Sequence, residues 1–290
     1  MAASTPNSPT ASRNLWIGKP GLLREIVQAA KSWDRTADLN VTEFKSLEGA
    51  VTTVAPARTP RRLKFSWDLL PPDDAQHLAR LARRVYGPGL QGSAVTSYGP
   101  LAVLDPASVN LLDPYQAAAQ SSSPSGGDHW FTVTGSMVVS PVIGDTVVAR
   151  FEDTTRIGWR HGTWTGWPVA PGMRVSWLVP PDWSPATATA QLDWKDAYGE
   201  YLSTTAVTGA SVTGTAPDAA AFVTPVGGPG VTGIAGLAGA CLTIGDDPVP
   251  FALGDGCPAM SVTAYSDAPA SPLPYRNVSI DLVEVRGAEL

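Results

Sequence analysis

Short runs rich in Val, Thr and Trp, each stopped by Gly or Pro, fill the second half of this chain of 290 residues. With 28 Gly and 27 Pro the punctuation is too dense for long helices, and brief runs between turn residues read as strands. Nine of them follow residue 129: WFTVTGSMVVS, DTVVARFE, TRIGWRHGTWTGW, MRVSWLVP, ATAQLDWKDAYGEYLSTTAV, AAFVTPVG, ACLTIGDD, AMSVTAYSD and NVSIDLVEVR. Their number and spacing predict a two-sheet sandwich of the jelly-roll kind. Residues 186–194 alternate as a strand with one buried face does, with turn residues after them at Asp196-Ala197-Tyr198-Gly199. The alternating residues 278–285 predict the strand that closes the sandwich.

The first half reads differently. Residues 22–27, 41–45, 51–54 and 62–67 predict strands, and two more are expected at 95–98 and 101–104. Between them one helix is signalled over 73–86, after Pro71-Pro72 and before Gly87-Pro88. Leu78, Leu81, Ala82 and Val85 lie on one face of it, with acids in its first turn and basic residues near its end. The segment AAAQSSSPSGGD has no apolar period and lies where charge and Trp content change. The expectation is therefore a mainly β chain in two domains: 1–116, a small sheet with one packed helix; a linker, 117–128; and 129–290, the sandwich.

Charge divides with the domains. Residues 1–120 hold 13 Lys/Arg against 10 Asp/Glu, and residues 121–290 hold 7 against 16, so the halves are +3 and −9. Nucleic-acid affinity comes mainly from neutralising phosphates, which argues against that partner. No apolar stretch approaches the roughly 20 residues of a membrane helix, and the N-terminal MAASTPNSPTAS lacks the basic start and apolar core of a secretory signal. No membrane partner and synthesis in a cytoplasm are expected.

The chemical motifs are weak. Gly87-Pro88-Gly89-Leu90-Gln91-Gly92 and Gly228-Pro229-Gly230-Val231-Thr232-Gly233 match G-x-G-x-x-G, but neither joins a strand to a helix, so both read as turns. G-x-S-x-G is absent. His77, His129 and His161 are scattered, and His161 is expected to be a loop hydrogen bonder. Asp193, Asp196, Glu200, Asp246, Asp247 and Asp255 offer carboxylates without a pair to choose for glycoside hydrolysis and without the ordered spacing of a calcium loop. Cys241 and Cys257 are too few for a zinc site without nearby His and read as buried free thiols, with a disulfide as the alternative. No catalytic residue, metal or cofactor is expected.

Tryptophan is the strongest signal: Trp130, Trp159, Trp164, Trp167, Trp177, Trp183 and Trp194 fall within 65 residues. Flat aromatic faces stack on sugars or anchor interfaces, and they also fill cores. Trp177 and Trp194 sit inside strand patterns and read as core. Trp159, Trp164 and Trp167, spaced by Gly and Thr in a turn-rich segment, are the candidate glycan contacts.

Leu15-Trp16-Ile17-Gly18-Lys19-Pro20-Gly21, the strand Arg61-Arg62-Leu63-Lys64-Phe65-Ser66-Trp67, the helix, the run Gly99-Pro100-Leu101-Ala102-Val103-Leu104-Asp105-Pro106 and Asn110-Leu111-Leu112 together form a pattern. It resembles the minor tail proteins of long-tailed phages of actinobacteria, of the distal tail protein type, over nearly the whole chain and through short motifs. The resemblance implies a structural virion protein at the tail tip, whose N-terminal belt domain forms a ring, usually sixfold, between tail tube and baseplate hub. It also implies a projecting galectin-like or carbohydrate-module-like sandwich that in some members meets a host-surface glycan. Trp16 and Trp33 are the candidate interface anchors. The alternatives are a soluble carbohydrate-binding protein or adhesin using the Trp-rich sandwich, and a glycan hydrolase.

Overall fold

A computed structural model describes residues 14–37, 39–54, 59–85, 100–120, 129–141, 147–152 and 154–285. The protein is mainly β. Its first elements are β1 (Leu15–Gly18), β2 (Arg24–Ile26), β3 (Ser32–Ala37), β4 (Thr42–Lys45), β5 (Val51–Val54), β6 (Arg61–Leu70), α1 (Pro72–Ala82), β7 (Ala102–Leu104) and α2 (Pro114–Ala117). There follow β8 (Trp130–Thr134), β9 (Met137–Pro141), β10 (Val147–Phe151), β11 (Arg156–Trp159), β12 (Trp167–Pro168), β13 (Arg174–Leu178), β14 (Thr189–Lys195) and β15 (Tyr201–Thr208). The last are β16 (Ser211–Thr215), β17 (Phe222–Gly228), β18 (Gly233–Gly236), β19 (Cys241–Ile244), β20 (Met260–Pro269) and β21 (Arg276–Glu284).

The chain forms two compact units, and neither is continuous in sequence. One comprises Met1–Val27, Gly89–Pro258 and Gly287–Leu290; the other, Gln28–Pro88 with Ala259–Arg286. The division therefore differs from the 1–116 and 129–290 expected. The strand predicted to close the sandwich, β21, instead pairs antiparallel with β6, with Ile280 opposite Phe65 and Leu282 opposite Leu63. The physical reason is that both strands are long and alternate with the same period, so in register they bury Phe65, Trp67, Val278, Ile280 and Leu282 together. Sequence distance does not enter that match.

In this sheet-and-helix unit the strand order is β20-β21-β6-β3. Helix α1 starts at a proline, carries Asp73 and Asp74 in its first turn and buries Ala75, Leu78 and Leu81. It ends at Ala82, short of the expected 86. Arg84 adopts a left-handed φ of 57°, and the Val85 amide turns back to the Arg80 carbonyl at 2.8 Å, so Val85 is exposed instead of packed. A separate two-stranded ribbon, β4 with β5, has every residue exposed.

The other unit is the sandwich. Its larger sheet runs β15-β14-β17-β11-β8 with β12 beside β17, and facing it is β16-β13-β19. Strand β14 shows the logic: Ala190, Leu192 and Trp194 point into the core while Thr189, Gln191, Asp193 and Lys195 alternate on the outer face. Trp159, Trp177 and Trp183 meet in the middle, with Trp159 and Trp177 ring centroids 4.6 Å apart in an edge contact. A small sheet, β2-β1-β7, belongs here too, and Trp16 and Leu104 share the same core. The remaining sheet is β18-β10-β9.

Three segments expected from sequence fall partly or wholly outside the described residues: the strand at 95–98, the first glycine motif at 87–92 and most of the linker. Where the linker is described it is packed. Ala117 and Ala119 are buried, and the Ala119 carbonyl accepts from Val147 N at 2.6 Å. Gly228 to Gly233 joins β17 to β18, a turn as expected, with Gly230 at φ 67°. Strands β1, β3, β16 and β18 are additions that the sequence reading did not contain.

Candidate functional site

His161 organises the loop between β11 and β12. Its Nδ1 accepts from the backbone amides of Thr163 (3.0 Å) and Trp164 (3.2 Å), so the proton resides on Nε2, which donates to the Cys257 carbonyl at 2.9 Å. Trp164 stacks on the ring at 4.9 Å and Trp167 meets it edge-on at 5.3 Å. This is the loop hydrogen bonder expected from sequence, and each ring nitrogen is used. Burial pushes its pKa down to about 4, with the Cys257 carbonyl and Asp113 offsetting part of the fall.

Because the folded state resists protonation, the unfolded chain takes up this proton near pH 6.5 and the folded chain only near pH 4. The stability that the neutral ring contributes is complete above pH 6.5 and is lost as the pH falls to 4. The size is roughly 3 kcal/mol. His161→Gln should flatten the curve in that window relative to the parent in denaturant titrations; parallel curves would refute the assignment.

The candidate glycan tryptophans separate. Trp159 and Trp167 are 0% and 1% exposed, and neither offers a face to a sugar. Trp167 donates Nε1 to the Leu111 carbonyl at 2.8 Å; Trp159 packs on Trp177 with its own Nε1 buried and without an acceptor. Glycine and threonine spacing suggested exposure, but β11 and the short β12 carry both rings inward on the pleat. Trp164 alone of the three is half-buried, covered on one side by His161. Trp177 and Trp194 are core as expected.

The candidate anchors separate likewise. Trp16 is buried at 6%, so it is a core residue. Trp33 is half-buried on the edge strand β3, edge-on to Phe65 at 4.7 Å and 5.5 Å from the Arg35 guanidinium.

Most of the carboxylates are engaged. Asp196 Oδ1 accepts from the Tyr198 and Glu200 amides in the expected turn, Asp246 bonds Arg174 Nε at 2.6 Å, and Asp255 accepts from Val109 N at 2.9 Å. Cys241 and Cys257 are buried and form no disulfide, and burial raises the Cys241 thiol to about 11. Among the described residues no cluster of three His, Cys, Asp or Glu could hold a metal, and no helix is long and apolar enough to cross a membrane.

Sequence reasoning missed the outer face of the larger sheet. Strand register sets its residues in rows. One row runs Phe131, Gly158, Val226, Gln191 and Ala206; beside it Asp193 lies between Thr224 and Thr204. Arg156 Nη1 donates to Gln191 Oε1 at 3.0 Å, Gln191 Nε2 to Asp193 Oδ1 at 2.7 Å, and Thr204 and Tyr201 extend the chain. Gly158 is needed here, because a Cβ would come within 2.3 Å of the Phe131 ring that lies across it. At one end a cleft of about 450 Å³ is lined by Thr134, Thr154, Thr155, Arg156 and Thr189 over Gly228 and Gly230. The legible signal was the polar alternation of β14.

No known protein family matches this chain, and no curated protein does. Among solved structures it is similar to the enzymatically active domain of bacteriophage CBA120 tailspike protein 4, at 11% identity over 47% of this chain and 21% of that one, with a TM-score of 0.29. It is also similar to the CBM22-1–GH10 modules of Clostridium thermocellum endo-1,4-β-D-xylanase 10B complexed with xylohexaose, at 13% identity over 62% of this chain and 29% of that one, with a TM-score of 0.23. The chain spans less than a third of either protein, and similarity at this level assigns it no activity.

Proposed function

We propose that this chain is a non-enzymatic structural protein of a phage tail tip. Copies of it assemble into a ring, six in number by the resemblance, that joins the tail tube to the baseplate hub and carries the sandwich as a carbohydrate-module-like appendage. The observation that supports assembly is the ribbon of β4 and β5. Val41, Phe44, Val51 and Val54 are 45–57% exposed, and Leu47 at its tip is fully exposed. An isolated two-stranded ribbon is marginal in water, and an apolar one needs a surface to lie on. A neighbouring copy supplies such a surface by strand addition, and a closed ring satisfies every ribbon.

The test is native mass spectrometry of the chain, alone and mixed with tail-tube and hub proteins, for the parent and for a Phe44→Asp, Leu47→Asp variant. The parent is expected to form a closed oligomer alone or with those partners. The variant should remain folded and lose assembly by roughly a hundredfold in affinity, as removal of interface hot spots does. A parent that stays monomeric with both partners would overturn the reading.

A further inference from the structure

We infer that the outer face of the larger sandwich sheet, centred on Phe131 and Arg156, is a binding site for an anionic saccharide. The inference rests on reading the sandwich as carbohydrate-module-like, and it names the ligand class and the place. Arg156 and Arg160 are both exposed; Arg156 opens β11 and Arg160 follows its last residue, with its amide still bonded to the His129 carbonyl at 2.9 Å, and Gly158 lies midway between them in sequence. At roughly 3.3 Å per residue their positions are about 13 Å apart, the span of a short oligosaccharide. Neither forms an ion pair among the described residues, whereas Arg174 in the same unit is neutralised by Asp246. In a half of the chain that carries −9 overall, two exposed cations without a carboxylate partner among the described residues, one opening β11 and one just past its end, make a local site for negative charge.

Between them lies the aromatic surface. The Phe131 ring rests across Gly158, with the Arg160 guanidinium 5.9 Å from its centroid. An apolar ring with one guanidinium beside it and a second cation on the same strand edge matches a sugar whose C–H face packs on the ring while its carboxylate or phosphate takes the planar fork. Arg156 is held for that role by Gln191, and Gln191 by Asp193, so the fork is oriented before a ligand arrives. The threonine-lined cleft beside Arg156 adds hydroxyl partners for a polyhydroxylated ligand. Asp193 lies on the same face and is already an acceptor for Gln191 and Thr204.

A uronate sugar and a polyol phosphate share this chemistry, and the experiment separates them. The full-length chain is titrated by calorimetry with tetragalacturonate, its methyl ester, neutral galactotetraose, a glycerol-phosphate oligomer and polyglutamate. Backbone amide and Arg Nε shifts are followed by NMR. Either the uronate or the glycerol-phosphate oligomer is expected to bind and to shift Arg156 Nε and the Thr189 and Gly228 amides, and whichever binds identifies the source. The ester and the neutral sugar should bind at least about tenfold more weakly, and Arg156→Gln and Phe131→Ala should each cost a similar factor. Binding by neither anion, equal binding of the neutral sugar or polyglutamate, or an unaffected Arg156→Gln variant would each overturn the inference. Ring assembly is read separately from the Phe44 and Leu47 variant, so failure here leaves the assembly reading untouched, and the reverse holds as well.

Discussion

A chain ended at Pro258 is expected to lose the sheet-and-helix unit outright while the sandwich tryptophans keep their packing. The cut removes β20 and β21 and leaves β6 with only β3 beside it. It also takes away Val278, Ile280 and Leu282, all at or below 2% exposure, from the surface formed by Phe65, Trp67 and the helix residues Leu78 and Leu81. At about 1.5–3 kcal/mol for each buried aliphatic side chain the loss is roughly 5–9 kcal/mol. That equals the whole stability of an ordinary domain. A two-stranded remnant under one helix does not stand alone in water. Hydrogen exchange read by mass spectrometry should show residues 28–85 fully exchanging, with near-ultraviolet dichroism from the sandwich retained. Were 259–285 instead a part of the sandwich, the same cut would erase the dichroism and leave residues 28–85 protected.

Asn110→Leu is expected to cost on the order of 4 kcal/mol. Asn110 is fully buried and uses its whole amide: Oδ1 accepts from Leu112 N and Leu242 N, both at 3.1 Å, and Nδ2 donates to the carbonyls of Ala240 (3.0 Å) and Ala252 (3.2 Å). It therefore ties three segments distant in sequence: its own, the start of β19 and the loop before Cys257. A leucine of similar volume leaves two amides and two carbonyls to find new partners in a dry interior, at about 1–3 kcal/mol for each that fails. Denaturant unfolding should show a lower midpoint with an unchanged slope. A cost below about 1 kcal/mol would mean that the neighbouring backbone bonds, Leu111 N to Leu242 O at 2.7 Å among them, hold the segment alone.

The Asn110-Leu111-Leu112 motif shows how a sequence pattern and its structural reason differ. In the sequence it was part of a resemblance. In the fold it is a pin in the sandwich, with Leu112 at 0% exposure and the Leu111 carbonyl capping Trp167. The assembly proposed above rests on other residues, those of the exposed ribbon, whose short strands were legible at 41–45 and 51–54. Its lack of a covering surface was not. Exposure depends on what packs above a strand, and the β-branched run Val51-Thr52-Thr53-Val54 reads as a strand whether or not anything does.

The tryptophan cluster teaches the same point from the other side. Density of indole rings marked the domain whose core they fill, but Gly and Thr between Trp159, Trp164 and Trp167 signal turns, and a turn leaves open which way the next ring points. The β11–β12 pleat sends two of the three inward. The residues proposed to meet a ligand are ones that composition does not highlight: a single phenylalanine made to lie flat by a glycine two strand positions from an arginine.

Local physics was thus legible in the chain alone. Turn residues and period-two runs marked most strands, proline and acids started α1, the Asp196 turn closed as written, and His161 and the two thiols took the roles their surroundings allow. Each of these depends on interactions within a few residues or on burial of a side chain type. Pairing between distant strands is decided by register and by which faces bury together, and a strand's own sequence is compatible with any partner of the same period. That is why β21 joins β6 across more than 200 residues of sequence, why β1 and β7 belong with the sandwich and not with α1, and why the outer sheet face exists as a surface only once five strands have been brought into line.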